Sequence, residues 1–159
     1  TLIAFASFVG EAVGGGDLAS NPFPKDIASY AFVSSIAVAA ADTAASEIGI
    51  IDPRVYLITT FKRTKRGVDG GVSLTGQLVA FVAAAYTSVV AYLLFALFDP
   101  GLIAGPPTVF VPMLCGFLGC QVDSVIGATI ETAGRIGKLG NNFTSIGIGT
   151  GLALLLALA

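Results

Sequence analysis

The sequence predicts an all-α, polytopic transmembrane helical bundle with about four full spans and a partial N-terminal span. Only 11 % of its 159 residues are charged and 55 % are hydrophobic, whereas soluble domains carry about 25 % charged residues. The apolar residues are gathered in runs close to the roughly 20 residues that a helix needs to cross a bilayer. The loops between the runs are short, so we expect one integral membrane domain over residues 1–159.

The N-terminal third contains the partial span and the first complete one. Residues 1–13 are apolar but too few to cross a bilayer, so we expect them to be the end of a longer span. After a stretch rich in glycine and proline, residues 25–51 are predicted to form a complete span. Pro53 favours its end, because the residue before a proline is biased away from helix. Residues 53–72 are predicted to form a polar loop.

Three further spans are predicted in the rest of the chain. The second covers residues 73–98 and ends at an Asp-Pro-Gly sequence. The third covers residues 108–130, in which Pro112 is early enough to kink the helix without ending it. A glycine-rich linker over residues 132–140 leads to the last span, predicted over residues 142–159.

The basic residues predict the orientation in the membrane. Seven of the eight fall in the loops at residues 51–72 and 132–140, and only Lys25 lies on the other side. Because Lys and Arg are enriched in cytoplasmic loops, we expect both loops in the cytoplasm, where nucleotides are found. The net charge of −2 gives no reason to expect a nucleic-acid partner.

Acidic residues in the spans are the first candidates for function. Burying a carboxylate at mid-bilayer costs about 2.5–3.5 kcal/mol, so such residues are usually paired or functional. We predict Asp42, Glu47 and Asp123 as metal ligands, and Mg²⁺ as the metal, because oxygen ligands without histidine suit a hard cation. Asp42 and Glu47 lie about 140° apart on a continuous helix, so they reach one ion only if the helix unwinds or the site lies between helices. The alternative is that these carboxylates pair with basic residues and only hold the helices together.

The loop KRTKRGVDGGVS, residues 62–73, is the second candidate. Lys62 and Arg63, together with backbone N–H groups freed by glycine, are suited to hold phosphates. The loop lacks the spacing of a P-loop, and an ordinary basic loop on lipid headgroups explains the charges equally well. The third candidate is Asn141-Asn142, for which a helix cap is an equally good explanation.

Five motifs carry a resemblance to a known family. DTAASEIG, ITTFK, GVDGGVSLTG, DSVIGATIE and LGNNF occur in that order. On these motifs the sequence resembles the widespread integral membrane family that includes the plant phytyl-phosphate kinase of vitamin E synthesis. It is more remotely similar to CTP-dependent dolichol and phytol kinases. The resemblance covers residues 35–159, and we expect the family's N-terminal spans to be missing.

The resemblance implies a kinase that transfers a phosphoryl group from a nucleoside triphosphate, CTP or else ATP, to a prenyl monophosphate. The product is the prenyl diphosphate. Asp42, Glu47, Lys62 and Asp123 are then the catalytic residues. The positions that match the family's motifs are Asp42, Ser46, Glu47, Thr60, Lys62, Gly67, Gly70, Gly71, Ser73, Asp123, Ser124, Gly127, Asn141 and Asn142. Val68-Asp69 departs from the family, which more often has threonine and a small polar residue there.

Two other functions stay open. A cytidylyltransferase that makes a CDP-lipid uses the same Mg²⁺ and CTP. A small-molecule membrane transporter also uses intramembrane acids and interrupted helices. The position of every motif on one side of the membrane favours an enzyme over a transporter.

Overall fold

The computed structural model describes residues 25–103 and 105–158. The predicted partial span at residues 1–13 lies outside this part of the chain. The described residues form a four-helix bundle. Its helices are α1 (Lys25–Gly49), α2 (Leu74–Phe98), α3 (Pro107–Ile126) and α4 (Lys138–Leu158).

All four helices are long and apolar enough to cross a membrane, which confirms the predicted fold class. Pro112 lies inside α3, which is one helix from Pro107 to Ile126. The main differences lie at helix ends. A π-helical turn, Gly127–Glu131, follows α3, and α4 begins at Lys138 rather than at the predicted residue 142. The two cysteines, both in α3, are buried free thiols.

Helix α1 is the centre of the bundle and packs against each of the other three helices. Small residues allow the close approach, as is usual between helices in lipid. A Cβ on Gly116 of α3 would lie 2.6 Å from the Cβ of Ala37. Val38 packs between Gly119 of α3 and Gly149 of α4. The middle of α1 is therefore in close contact with both α3 and α4.

A small antiparallel sheet connects α1 to α2, in the region predicted to be a polar loop. Its strands are β1 (Val55–Leu57), β2 (Arg63–Thr64) and β3 (Gly71–Val72), in the order β2–β1–β3. Tyr56 of β1 lies opposite Arg63 on one side and Val72 on the other. The strands are too short to show the alternation of apolar and polar residues that marks a strand in a sequence.

The ends of α1 and α2 are joined at Ser73, which caps α2. Its hydroxyl accepts from the Gly76 N–H at 3.1 Å and donates to the carbonyl of Gly49 at 3.2 Å. Gly49 and Gly76 touch, since a Cβ on Gly49 would lie 2.9 Å from the Gly76 Cα. Asp52 adds a second link, because its carboxylate accepts from the Thr75 hydroxyl at 2.9 Å. The sheet is therefore fixed at this end of the bundle.

Candidate active site

A cavity of about 320 Å³ lies where the C-terminal ends of α1 and α3 meet the sheet. Asp42 and Ser46 line it from α1, Asp123 and Ser124 line it from α3, and the loop at residues 67–73 covers it. Lys138, the first residue of α4, also lines it. Gly76 and Gln77 line it from α2, so the cavity brings together residues from all four helices and the connecting loop.

Asp123 is the most fully bonded side chain of the site. Its Oδ1 accepts a hydrogen bond from the Ser145 hydroxyl at 3.1 Å. The Asn142 amide, oriented by its hydrogen-bonding neighbours, donates to the same oxygen at 3.2 Å. The other oxygen, Oδ2, lies 3.5 Å from Lys138 Nζ. Three residues of α4 therefore hold one carboxylate of α3.

Asn141 fixes α4 against the end of α3. Its Nδ2 donates to the Asp123 carbonyl at 3.1 Å and to Glu131 Oε2 at 2.9 Å. The Asn141 side chain is buried, and its Oδ1 has no hydrogen-bond partner among the described residues. The π-helical turn is closed by the Thr132 N–H, which donates to the Gly127 carbonyl at 3.2 Å. Such turns are frequent at functional sites.

Asp42 joins this network from α1. It is half-buried and lines the same cavity as Asp123 and Lys138. The structure therefore brings together Asp42 and Asp123, two of the three predicted metal ligands. Two carboxylates from different helices face one cavity, with one ammonium group beside them.

The glycine loop is docked onto the end of α3 at Gly70. This residue has a φ of +74°, which L side chains rarely adopt. A Cβ there would overlap Ala128 and lie 2.6 Å from the carbonyl oxygen of Ser124. The Gly71 N–H donates to the Val68 carbonyl at 2.9 Å, so this group is already used inside the loop. Gly70 is therefore required for the left-handed turn and for the close contact of the loop with Ser124 and Ala128.

The family model described as Integral membrane protein DUF92 matches residues 1–151. The chain belongs to the DUF92 family. Protein PGR of Arabidopsis thaliana is 39 % identical over 99 residues, which cover 58 % of this chain and 34 % of that protein. Protein VTE6, chloroplastic, of the same plant is 33 % identical over 129 residues, covering 79 % of this chain and 37 % of that protein.

An uncharacterized membrane protein of Methanocaldococcus jannaschii is 34 % identical over 108 residues, which cover 65 % of this chain and 40 % of that protein. The matches therefore cover between 34 % and 40 % of the length of these curated relatives. No solved structure matches the chain.

Several residues predicted from the DUF92 motifs do belong to the cavity or support it. Asp42 and Asp123 face it, and the Asn141-Asn142 pair supports Asp123 from behind. Ser73 lines the cavity, although its hydroxyl is engaged in capping α2. The other predicted residues that line it are Ser46, Gly67, Gly70, Gly71, Ser124 and Gly127.

Four predicted residues are exposed and do not line the cavity: Glu47, Thr60, Lys62 and Arg63. Glu47 points away because five residues along a continuous helix turn it about 140° from Asp42. The other three lie on the β1–β2 hairpin, where the Thr60 hydroxyl accepts from the Lys62 N–H at 3.4 Å. Within residues 25–103 and 105–158, no three Cys, Asp or Glu side chains are grouped to hold a metal ion. The structure therefore does not assemble the predicted three-carboxylate metal site.

Lys138 and Ser145 were missed as site residues of this DUF92 protein. Both lie on the face of α4 that carries Asn141 and Asn142, since residues three, four and seven positions apart share one side of a helix. That pattern was visible in the sequence. It is missed because the glycines around Lys138 favour a linker there, so the last span is predicted to begin only at residue 142.

Proposed function

We propose that this DUF92 chain provides the phosphoryl-transfer site of a membrane kinase. The donor is a nucleoside triphosphate, with CTP as the first candidate, and the acceptor is a prenyl monophosphate. One observation carries the proposal: Asp42 and Asp123, from different spans, meet Lys138 beside a glycine loop at one end of the bundle. The resemblance to the family of the plant phytyl-phosphate kinase supports it.

The reaction makes modest chemical demands on the protein. The bond between the γ-phosphorus and the oxygen bridging it to the β-phosphate breaks, and an oxygen of the prenyl monophosphate bonds to that phosphorus. The products are the nucleoside diphosphate and the prenyl diphosphate. Because the acceptor is already an anion, no general base is needed. The main requirement is to bring two anions together and align them.

The charges of the cavity indicate how this requirement is met. Asp42, Asp69 and Asp123 line the cavity against one basic residue, Lys138. With all four ionised, two negative charges are in excess, so a bare triphosphate would be repelled. A divalent cation must therefore accompany it.

Two carboxylates and phosphate oxygens are the usual ligands of Mg²⁺ in such sites. Asp42 and Asp123 are the residues that would hold the ion. When bound, Mg²⁺ neutralises phosphate charge and orients the phosphate oxygens. The four basic residues at positions 62–66 lie outside the cavity lining, so they would act on the nucleotide through long-range potential.

The position of the site at the end of the bundle suits a substrate with a long apolar tail. The sheet, the 132–137 connection and the first residue of α4 lie at the same end of the helices and carry seven of the eight basic residues. We propose that this end faces the cytoplasm, following the distribution of basic residues. The phosphate of the lipid then reaches the cavity while the prenyl tail stays in the bilayer.

The test uses the full chain in lipid nanodiscs with γ-labelled CTP or ATP, a panel of prenyl monophosphates, and Mg²⁺ present or absent. We expect label on the lipid only with Mg²⁺, and loss of that label in Asp42→Asn. Label reaching the lipid from the α-phosphate instead would identify a cytidylyltransferase. No transfer of either label, with nucleotide-independent solute flux in liposomes, would identify a transporter.

A further inference from the structure

Lys138 lies inside the cavity, and the more prominent basic cluster of the sequence does not. It is the one basic side chain among the described residues that line the cavity. Residues 62–66 hold four basic residues, all of them exposed and outside the lining. The ammonium group available to a ligand in the cavity therefore comes from α4.

The ion pair between Lys138 and Asp123 is long, and its lysine side chain is accessible from the cavity. The Nζ–Oδ2 distance is 3.5 Å, longer than the about 2.7–2.9 Å of a strong charge-assisted hydrogen bond. The Lys138 side chain is 57 % exposed, whereas that of Asp123 is 5 % exposed. Since an ammonium group has three donors, Lys138 keeps donors free for a ligand while it remains near Asp123.

The backbone of Lys138 is held in place although its side chain is not. The Asn142 amide donates to the Lys138 carbonyl at 3.2 Å and also to Asp123. Asn141 and Ser145, one and two turns along α4, bind the same aspartate. The start of α4 is thus fixed relative to α3, and the four-carbon stem of the lysine can swing between the carboxylate and the cavity.

We propose that Lys138 binds a phosphate oxygen in this cavity. Before a phosphate enters, the Lys138 ammonium group occupies the place of a metal cation beside Asp42 and Asp123. This inference rests on the proposed function and assigns a residue to it. The phosphate belongs either to the nucleoside triphosphate or to the prenyl monophosphate.

The two roles of Lys138 have opposite consequences for two ligands. Its ammonium group lies 3.5 Å from Asp123 Oδ2 and lines the same cavity as Asp42, so removing it leaves those two carboxylates freer for a divalent cation. The same change removes a donor to phosphate. A neutral residue at this position should therefore strengthen binding of a metal ion alone and weaken binding of a phosphate. A lysine that only stabilised the fold would not shift the two affinities in opposite directions.

The experiment measures binding to the full chain in nanodiscs. Mn²⁺ is titrated alone, and CTP and phytyl monophosphate are titrated at saturating Mg²⁺. For Lys138→Gln we expect affinity for one phosphate ligand to fall about tenfold or more, as for loss of a charged hydrogen bond, and Mn²⁺ to bind several-fold more tightly. Lys65→Gln, just after the exposed hairpin, is the matched control: it removes the same charge outside the cavity, so it should weaken CTP only slightly and leave phytyl monophosphate and Mn²⁺ unchanged.

The two titrations of phosphate ligands identify the source of the phosphate. A loss confined to CTP assigns Lys138 to the donor, and a loss confined to phytyl monophosphate assigns it to the acceptor. Lys138→Met, which keeps an unbranched stem, serves as a second neutral variant if the glutamine variant does not fold. Unchanged affinity for both phosphates would overturn the inference and leave the proposed function standing. A wild-type chain that binds neither ligand would overturn both.

Discussion

Two regions at the same end of the molecule differ in how their charges are brought together. The β1–β2 hairpin and the segment after it carry Lys62, Arg63, Lys65 and Arg66 within five positions, and all four are exposed. The cavity takes its charges from residues far apart in the sequence: Asp42, Asp69, Asp123 and Lys138. The basic segment is the more conspicuous in the sequence, but the cavity is the region whose charged side chains surround a space that a ligand can enter.

The reason is electrostatic and topological. Like charges close together in a chain repel each other and are best solvated, so they stay exposed on a short hairpin. Opposite charges on different helices meet where antiparallel spans return to the same membrane surface. Asp42 ends up beside Asp123 because α1 packs against α3, and Lys138 joins them because a short connection starts α4 next to the end of α3.

The largest effect is expected from Asp123→Asn. The amide keeps the size of the side chain and can still accept from the Ser145 hydroxyl, but it loses the charge that faces Lys138 and the cavity. We expect phosphoryl transfer to fall about 100-fold or more, as when an electrostatic stabiliser is removed from a site. Lys138 is largely exposed and can return to water, so the unfolding midpoint in detergent should change little. Turnover near that of the wild type would show that the cavity is not the catalytic site.

A second substitution, Gly70→Ala, tests whether the loop must dock on α3. Gly70 and Gly134 both have positive φ, +74° and +69°, but only Gly70 has neighbours that a Cβ would overlap. Gly134→Ala should cost about 1 kcal/mol of unfolding free energy, the strain of a left-handed alanine. Gly70→Ala should cost about 1–3 kcal/mol more, since the loop must move off Ala128.

Three measurements check this prediction: the rate of limited proteolysis in the 58–71 segment, the free energy of unfolding, and the rate of phosphoryl transfer. We expect faster cleavage and reduced transfer for Gly70→Ala alone. If the two alanine variants behave alike, backbone strain explains the effect and contact of the loop with α3 contributes nothing.

A third pair of variants separates helix packing from the site. In α4, a Cβ on Gly149 would lie 2.6 Å from Val38 Cγ2, whereas a Cβ on Gly147 would meet nothing within 4 Å. Gly149→Ala should lower the free energy of unfolding by about 1–3 kcal/mol through overpacking. Gly147→Ala should be neutral or stabilising by up to about 1 kcal/mol, because alanine favours a helix. Equal unfolding free energies for the two variants in detergent titration would contradict the close packing of α4 on α1.

These differences also mark what the sequence could and could not predict. The spans followed from apolar length alone, because a bilayer imposes that length on every crossing helix. Asp42 and Asp123 could be predicted because a carboxylate in a span is costly. Lys138 could not be chosen by the same argument, since a basic residue in a loop is ordinary.

The role of Gly70 was predicted for a different reason from the one that the structure gives. The glycine motif suggested backbone N–H groups free to bind phosphate. In the structure Gly70 serves a left-handed turn and a contact with Ala128, and the next N–H is bonded within the loop. Both demands depend on tertiary contacts, which a single sequence does not display.

The smallest effect is expected at Asp52, which anchors the sheet to α2. Its carboxylate accepts from the Arg54 N–H and then from the Thr75 hydroxyl, and these hydrogen bonds hold its pKa below the ordinary value of 3.8. Because the folded pKa is the lower one, Asp52 stabilises the fold at neutral pH, and that contribution is lost as the pH falls below 3.8. Asp52→Asn should therefore lower the unfolding midpoint slightly at neutral pH and lose its difference from the wild type in acid. Thr75→Val should show a smaller shift with the same pH dependence, and a shift that persisted unchanged in acid would rule out the charged hydrogen bonds as its cause.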